Sequence, residues 1–216
     1  MVDILHAHDR DVLAWGRALY QHHHNTLQTF EEAAQLVANS LYLDFREPYG
    51  EPIFALARIF RTVRYHQLSQ ELRPLANPKT ENWLVLCGTA GIEPAWNDVR
   101  QSKHHRLIPL DANLPPMFRE ALQRTNITVW EMEQYNLRRV TKDFDLSQTF
   151  YIPDAVASPY VIEQKNFVRV HGIASVIGIG YNFTPTDAYL ALAFSRVRLT
   201  ETAARSFTKA SPFIST

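Results

Sequence analysis

The residues best equipped for chemistry lie in the stretch GTAGIEPAWNDVRQSKHHRLIPL, residues 88–110. Trp96 offers an indole face for stacking, Asn97 both donor and acceptor groups, and Arg100 a planar fork matched to a carboxylate or phosphate. With Asp98 between them they form a ligand-binding set, placed after Gly88, Gly91 and Pro94 in a loop between two predicted strands. The same residues fit a second arrangement, in which Trp96 anchors the loop to the core and Asp98 pairs locally with Arg100. Tyr151 and Asp154 are the remaining ligand-binding candidates. Asp154 follows Pro153 and suits either a ligand contact or, with Ser158, the cap of a following helix.

Other chemistries find less support. Nine histidines are present, but His22, His23 and His24 are contiguous, and neighbours on a helix point about 100° apart. His104 and His105 are likewise adjacent, and neither Asp154 nor Glu163 stands at a ligating spacing, so no metal site is expected. Cys87, the single cysteine, sits in the apolar run WLVLCG and reads as a buried, inert thiol. Its solitude excludes an intramolecular disulfide framework. Ser158 lacks a Gly-x-Ser-x-Gly elbow, and no glycine loop is arranged to cradle phosphate. Gly178 and Gly180 alternate along a strand, which suits close packing or a bulge. Glu131 and Glu133 are expected to face solvent. An enzyme reading would place acid–base work on Asp98, Arg100 and His104.

The elements that must position these residues follow from periodicity. A helix is predicted over 9–21, interrupted by the histidine tract, and a second one starts at Thr29, where Glu32 gives capping-box spacing. Strands are expected over 53–63 and 83–89, a short helix over 69–76, a short apolar piece over 107–110 and a proline-led helix over 115–124. Residues 127–139 suit helix and strand equally. A short strand at 149–152, a helix over 159–168, two long strands at 175–183 and 188–197 joined by TPTD, and a closing helix from Thr200 complete the order. Adjacent late strands point to an α+β fold, a central antiparallel sheet flanked by helices.

The chain has 216 residues, 46% of them hydrophobic and 20% charged, which suits one globular domain. Lys plus Arg equals Asp plus Glu at 22 each, so no net field recruits nucleic acid or anionic lipid. No run approaches the roughly 20 apolar residues of a membrane span. Asp3, His6, His8, Asp9 and Arg10 stand where a signal peptide would be apolar, so a cytoplasmic protein is expected.

Residues 150–197 resemble the second half of a GAF domain: FYIPDAVASP, a helix, HGIASVIGIGYNF, a hairpin and LALAFSRV. Residues 29–63 look like the opening helix and first strands of that family, and 88–110 resemble a subgroup found beside bacterial signalling histidine kinases. The resemblance covers about 20–208 and implies a GAF/PAS-like sheet, with a helical extension at 1–24, the domain at 25–210 and a tail at 211–216. It implies a non-catalytic domain that senses a small molecule in bacterial signal transduction, with a signalling kinase or other regulatory protein as partner and a homodimer as its assembly. The pocket would be lined by Trp83, Trp96, Tyr151, Tyr160 and Tyr181. A structural dimerisation module is the alternative. No cofactor is specified, and a single core-like cysteine fits neither bilin attachment nor methionine sulfoxide reduction. The chain departs from the family pattern at its end, where the closing helix is expected to break up in SPFIST without heptads leading to an output domain.

Overall fold

Long runs of β-branched and aromatic residues pair wherever a hairpin or a buried face lets them. The computed structural model describes residues 9–23, 26–102, 105–125, 127, 149–184 and 187–214. Within these, six strands form one sheet: β1 (Phe54–Arg64), β2 (Asn82–Gly91), β3 (Leu107–Pro109), β4 (Phe150–Ile152), β5 (Ser175–Thr184) and β6 (Asp187–Ser195). Their order is β3-β2-β1-β6-β5-β4, and every neighbouring pair is antiparallel. The fold is therefore α+β, as the strand pattern led us to expect.

Alternation along the strands sends residues to two cores. Ala57 and Ile59 face one side with Val85, Cys87, Ile177 and Ala193; Leu56 and Phe60 face the other with Leu84, Leu86, Leu190 and Leu192. Three helices build the first side: α1 (Asp9–His23), α2 (Phe30–Asp44) and α4 (Glu201–Ile214). Thr29 caps α2 as its spacing with Glu32 predicts: the hydroxyl accepts from the Glu32 N–H, and the Glu32 carboxylate accepts from the Thr29 N–H. Phe45, Phe54 and Phe207 pack edge-on or tilted around one another, and the Trp15 ring meets Phe45 and Phe207 at 5.1 and 6.1 Å. The Trp15 Nε1–H donates to Ser40 Oγ at 2.8 Å, so the first helix shares this core. The second side is covered by α3 (Pro116–Arg124) and by irregular segments at 92–102, 105–106 and 153–174.

Four local expectations are corrected. The histidine tract does not interrupt α1, which runs through His22 and His23. The helix expected over 69–76 is replaced by separate 3₁₀ turns at Tyr65–Gln67 and Arg73–Leu75, the second holding Pro74. Over 159–168 no α-helix forms, and a π-helical turn spans Gln164–Arg169. There the Gln164 amide donates to the carbonyls of Ala155 and Val161 and accepts from the Ala157 N–H, so a side chain holds the path that a helix would otherwise take. The last helix does not break at 211 but continues through Pro212 to Ile214. Buried Ala203, Ala204, Phe207 and Ala210 fasten it to the core, which offsets the hydrogen bond that Pro212 cannot make. Residues 128–139, ambiguous in the sequence, lie outside the described residues.

Candidate functional site: a cavity over the centre of the sheet

The site begins at an unfinished edge. β3 covers β2 only opposite Trp83, Leu84 and Val85, and beyond them the outward backbone groups of β2 need other partners. Leu86 donates to the Arg106 carbonyl at 3.0 Å. The Gln35 amide then meets Thr89 twice, donating to its carbonyl at 2.8 Å and accepting from its N–H at 3.2 Å. Two residues on, the Asn97 amide does the same for Gly91, with both bonds at 3.0 Å. Each side-chain amide thus stands in for a strand backbone, and the second fixes the turn at Pro94–Asn97 over the sheet. A Cβ on Gly91 would lie 2.9 Å from the Trp96 ring and 2.6 Å from the Ala55 carbonyl, so this glycine leaves the indole its seat. Asn97→Ala is expected to lower stability by about 1–2 kcal/mol and to shift the Trp96 indole N–H resonance, read by thermal unfolding and by nitrogen–proton correlation spectra.

Trp96 joins two segments. Its ring meets Phe167 at 5.6 Å and His171 at 4.6 Å, both edge-on, and Phe167 meets Phe194 of β6 at 5.1 Å. Between these rings and α3 the sheet is left uncovered by a cavity of about 440 Å³. That volume falls within the roughly 300–1,000 Å³ typical of small-molecule sites. Leu56, Arg58 and Phe60 of β1 and Leu192 and Phe194 of β6 form its floor; Met117 and Phe118 of α3 close one side. The lining is mainly apolar, with polar groups from Arg58, Gln101, Ser102, His105, Glu163 and Asn166.

Arg58 is the group that sets the electrostatics here. Its Nε is buried and has no hydrogen-bond partner among the described residues, and the same holds for Ser102 Oγ. Burial pushes the guanidinium pKa down to about 10, which still leaves it cationic at neutral pH. Glu163 is exposed and makes no ion pair with Arg58.

No protein-family model matches this chain, and no curated protein or solved structure matches it significantly.

The candidate residues read from sequence are distributed unevenly. Trp96 lines the cavity. Asn97 is held by backbone, and Asp98 takes the local role: its Oδ1 accepts from the Arg100 N–H and Nε–H at 2.9 and 3.0 Å, and its Oδ2 from Nη2 at 3.0 Å. The Arg100 fork holds the Asp98 carboxyl below its ordinary range. None of these three residues lines the cavity. Tyr151 points to the helical side, because Phe150 and Ile152 on either side of it face the other core, and its hydroxyl donates to the Leu199 carbonyl. Asp154 caps no helix: Oδ1 accepts from the Val156 N–H in a tight turn, and Oδ2 pairs with Arg198 at 2.6 Å. Of the five aromatics expected around a pocket, Trp96 and Tyr160 line it, whereas Trp83, Tyr151 and Tyr181 belong to the opposite face.

His104 lies outside the described residues, as do His24, Glu131 and Glu133. Among the described residues no cluster of His, Cys, Asp and Glu is placed to hold a metal ion, and no helix is long and apolar enough to cross a membrane. Cys87 is buried and its thiol is pushed up to about 12 by desolvation, far from thiolate chemistry at neutral pH. Sequence reasoning missed Arg58. Its signal was available: a charged residue in IFALARIFRTV, flanked at two residues' distance by Leu56 and Phe60, in a strand too apolar to be exposed.

Proposed function

We propose that this chain is a non-catalytic binding domain of the GAF-like sensory kind, whose signal is a small molecule held in the cavity on β1 and β6. The observation that carries this reading is the cavity itself: ring-lined, set over the middle of the sheet, with few polar groups, of which Arg58 Nε and Ser102 Oγ have no partner among the described residues. The six-stranded antiparallel sheet, with three helices on one face and α3 with irregular segments on the other, supports the GAF-like assignment. Among the described residues no base is bonded to the Ser102 hydroxyl, in keeping with a binding site.

Such a domain needs a route from ligand to output. Leu192 and Phe194 of β6 face the cavity, while Ala191 and Ala193 between them lie in the core that contains Phe207 of α4. A ligand that shifts β6 therefore acts on both faces at once, and α4 packs against α1. A regulatory partner such as a signalling kinase would read these two helices, and a homodimer would place two such pairs together; sedimentation of the purified chain measures the assembly.

Filling the cavity tests the reading. Met117→Trp, on the cavity side of α3, is expected to change the melting temperature of the ligand-free chain little and to abolish stabilisation by added ligands. Native mass spectrometry of the purified chain gives the complementary measurement: a retained small molecule should be present in the wild type and missing from Met117→Trp. Ligand stabilisation that persists in the filled variant would place the binding elsewhere.

A further inference from the structure

We propose that the ligand is an organic carboxylate with an apolar, ring-sized body, its carboxylate held by Arg58 and Ser102 and its body by the aromatic walls. The proposal rests on the binding reading above and narrows it to a chemical class.

β1 carries two arginines whose surroundings differ. Arg61 is met by Asp187 in a bidentate pair, Nε to Oδ1 at 3.0 Å and Nη2 to Oδ2 at 2.7 Å. Arg58, three residues earlier on the other face, lies on the cavity floor and has no counter-ion among the described residues. Arg58 is half-buried with its Nε fully enclosed, and a guanidinium withdrawn this far from water without a partner is destabilising, so an apolar side chain of similar length would fit the same place at lower cost. An anion arriving from outside supplies what the chain omits. The planar fork matches the two oxygens of a carboxylate, and the Ser102 hydroxyl, also without a partner among the described residues, adds a donor.

Charge separates a carboxylate from a phosphate ester. Among the described residues the lining contains one arginine, no lysine and one carboxylate, Glu163 at the exposed rim. A single cation balances a monoanion. A dianionic phosphate would be left with excess charge in a low-dielectric site, and among the described residues no run of backbone N–H groups from a glycine loop is there to take it. The rest of the ligand meets Leu56, Phe60, Trp96, Phe118, Phe167 and Phe194, surfaces that favour a flat hydrocarbon body.

Titration calorimetry and thermal unfolding of the full chain with phenylacetate, its neutral isostere phenylacetamide and phenyl phosphate test this. Phenylacetate should bind and raise the melting temperature, with phenylacetamide weaker by at least about ten-fold. The Arg58 Nε–H resonance should shift on adding phenylacetate. Arg58→Met should melt higher than wild type without probe and bind acid and amide alike, and Arg58→Lys, cationic but without the fork, should fall between them. Equal binding of acid and amide by the wild type would overturn the carboxylate assignment and leave the pocket reading intact. Tighter binding of phenyl phosphate would overturn it in favour of a phosphate ligand. Failure of all three probes to bind would overturn both the ligand class and the pocket reading.

Discussion

Phe207→Ala should lower the stability of the chain by about 3–5 kcal/mol, the cost of removing a fully buried phenyl ring from a core that cannot collapse around the gap. Phe207 is 0% exposed and sits among Phe45, Phe54 and Trp15, at ring separations of 5.1, 5.8 and 6.1 Å. These rings come from α1, the end of α2, β1 and α4, so one deletion loosens four elements at once. Chemical denaturation measures the loss. The cavity lies on the far side of the sheet, so a ligand should still raise the melting temperature of the variant, from a lower baseline. The two faces share β6, however, and the increment separates two mechanisms. An unchanged increment means that ligand and α4 act independently. A reduced one is the coupling expected of a domain that reports occupancy through its terminal helices.

The contrast between Arg58 and Arg61 shows where sequence reading stops. The strand around them was legible, because IFALARIFRTV is β-branched, aromatic and apolar on both faces. So was the start of α2, because a capping box is a contact between residues three apart. Which arginine finds an acid was not. That depends on the register of β1 with β6, in which Arg61 stands opposite Tyr189 and reaches Asp187, 126 residues away in the chain. Shifting this register by one residue would exchange the faces of both side chains. The candidate set at Trp96, Asn97, Asp98 and Arg100 shows the converse. Trp96 stands in one wall of the cavity, yet the other three members are used by the backbone and by each other. Residue type marks a group able to bind a ligand, but an open edge on β2, visible only once β3 is seen to be three residues long, decides that Asn97 binds the chain itself.

Gly88→Ala should be nearly as damaging as the loss of Phe207, at about 3 kcal/mol or more, although it adds only one methyl group. A Cβ at this position would lie 2.3 Å from the Ala34 carbonyl oxygen, 2.4 Å from its carbon and 2.7 Å from the Gln35 nitrogen. All three atoms are backbone of α2, so no rotamer change relieves the contact and the helix itself must move away. Gly88 also follows a bulge: Ile59 pairs with Gly88 and Phe60 with Leu86, leaving Cys87 as the extra residue. Displacing α2 here withdraws the Gln35 amide from Thr89, whose hydroxyl donates to the Trp96 carbonyl at 2.8 Å. The damage should therefore cross the sheet edge to the cavity wall. Hydrogen exchange at Thr89 and Gly91 should accelerate in Gly88→Ala, and ligand stabilisation should fall with it. Enlarging the room on the helix, by Ala34→Gly in the same chain, leaves the Ala34 carbonyl in place and should rescue little. If that double variant regained full stability, the contact would be with the Ala34 side chain and not with the backbone of α2.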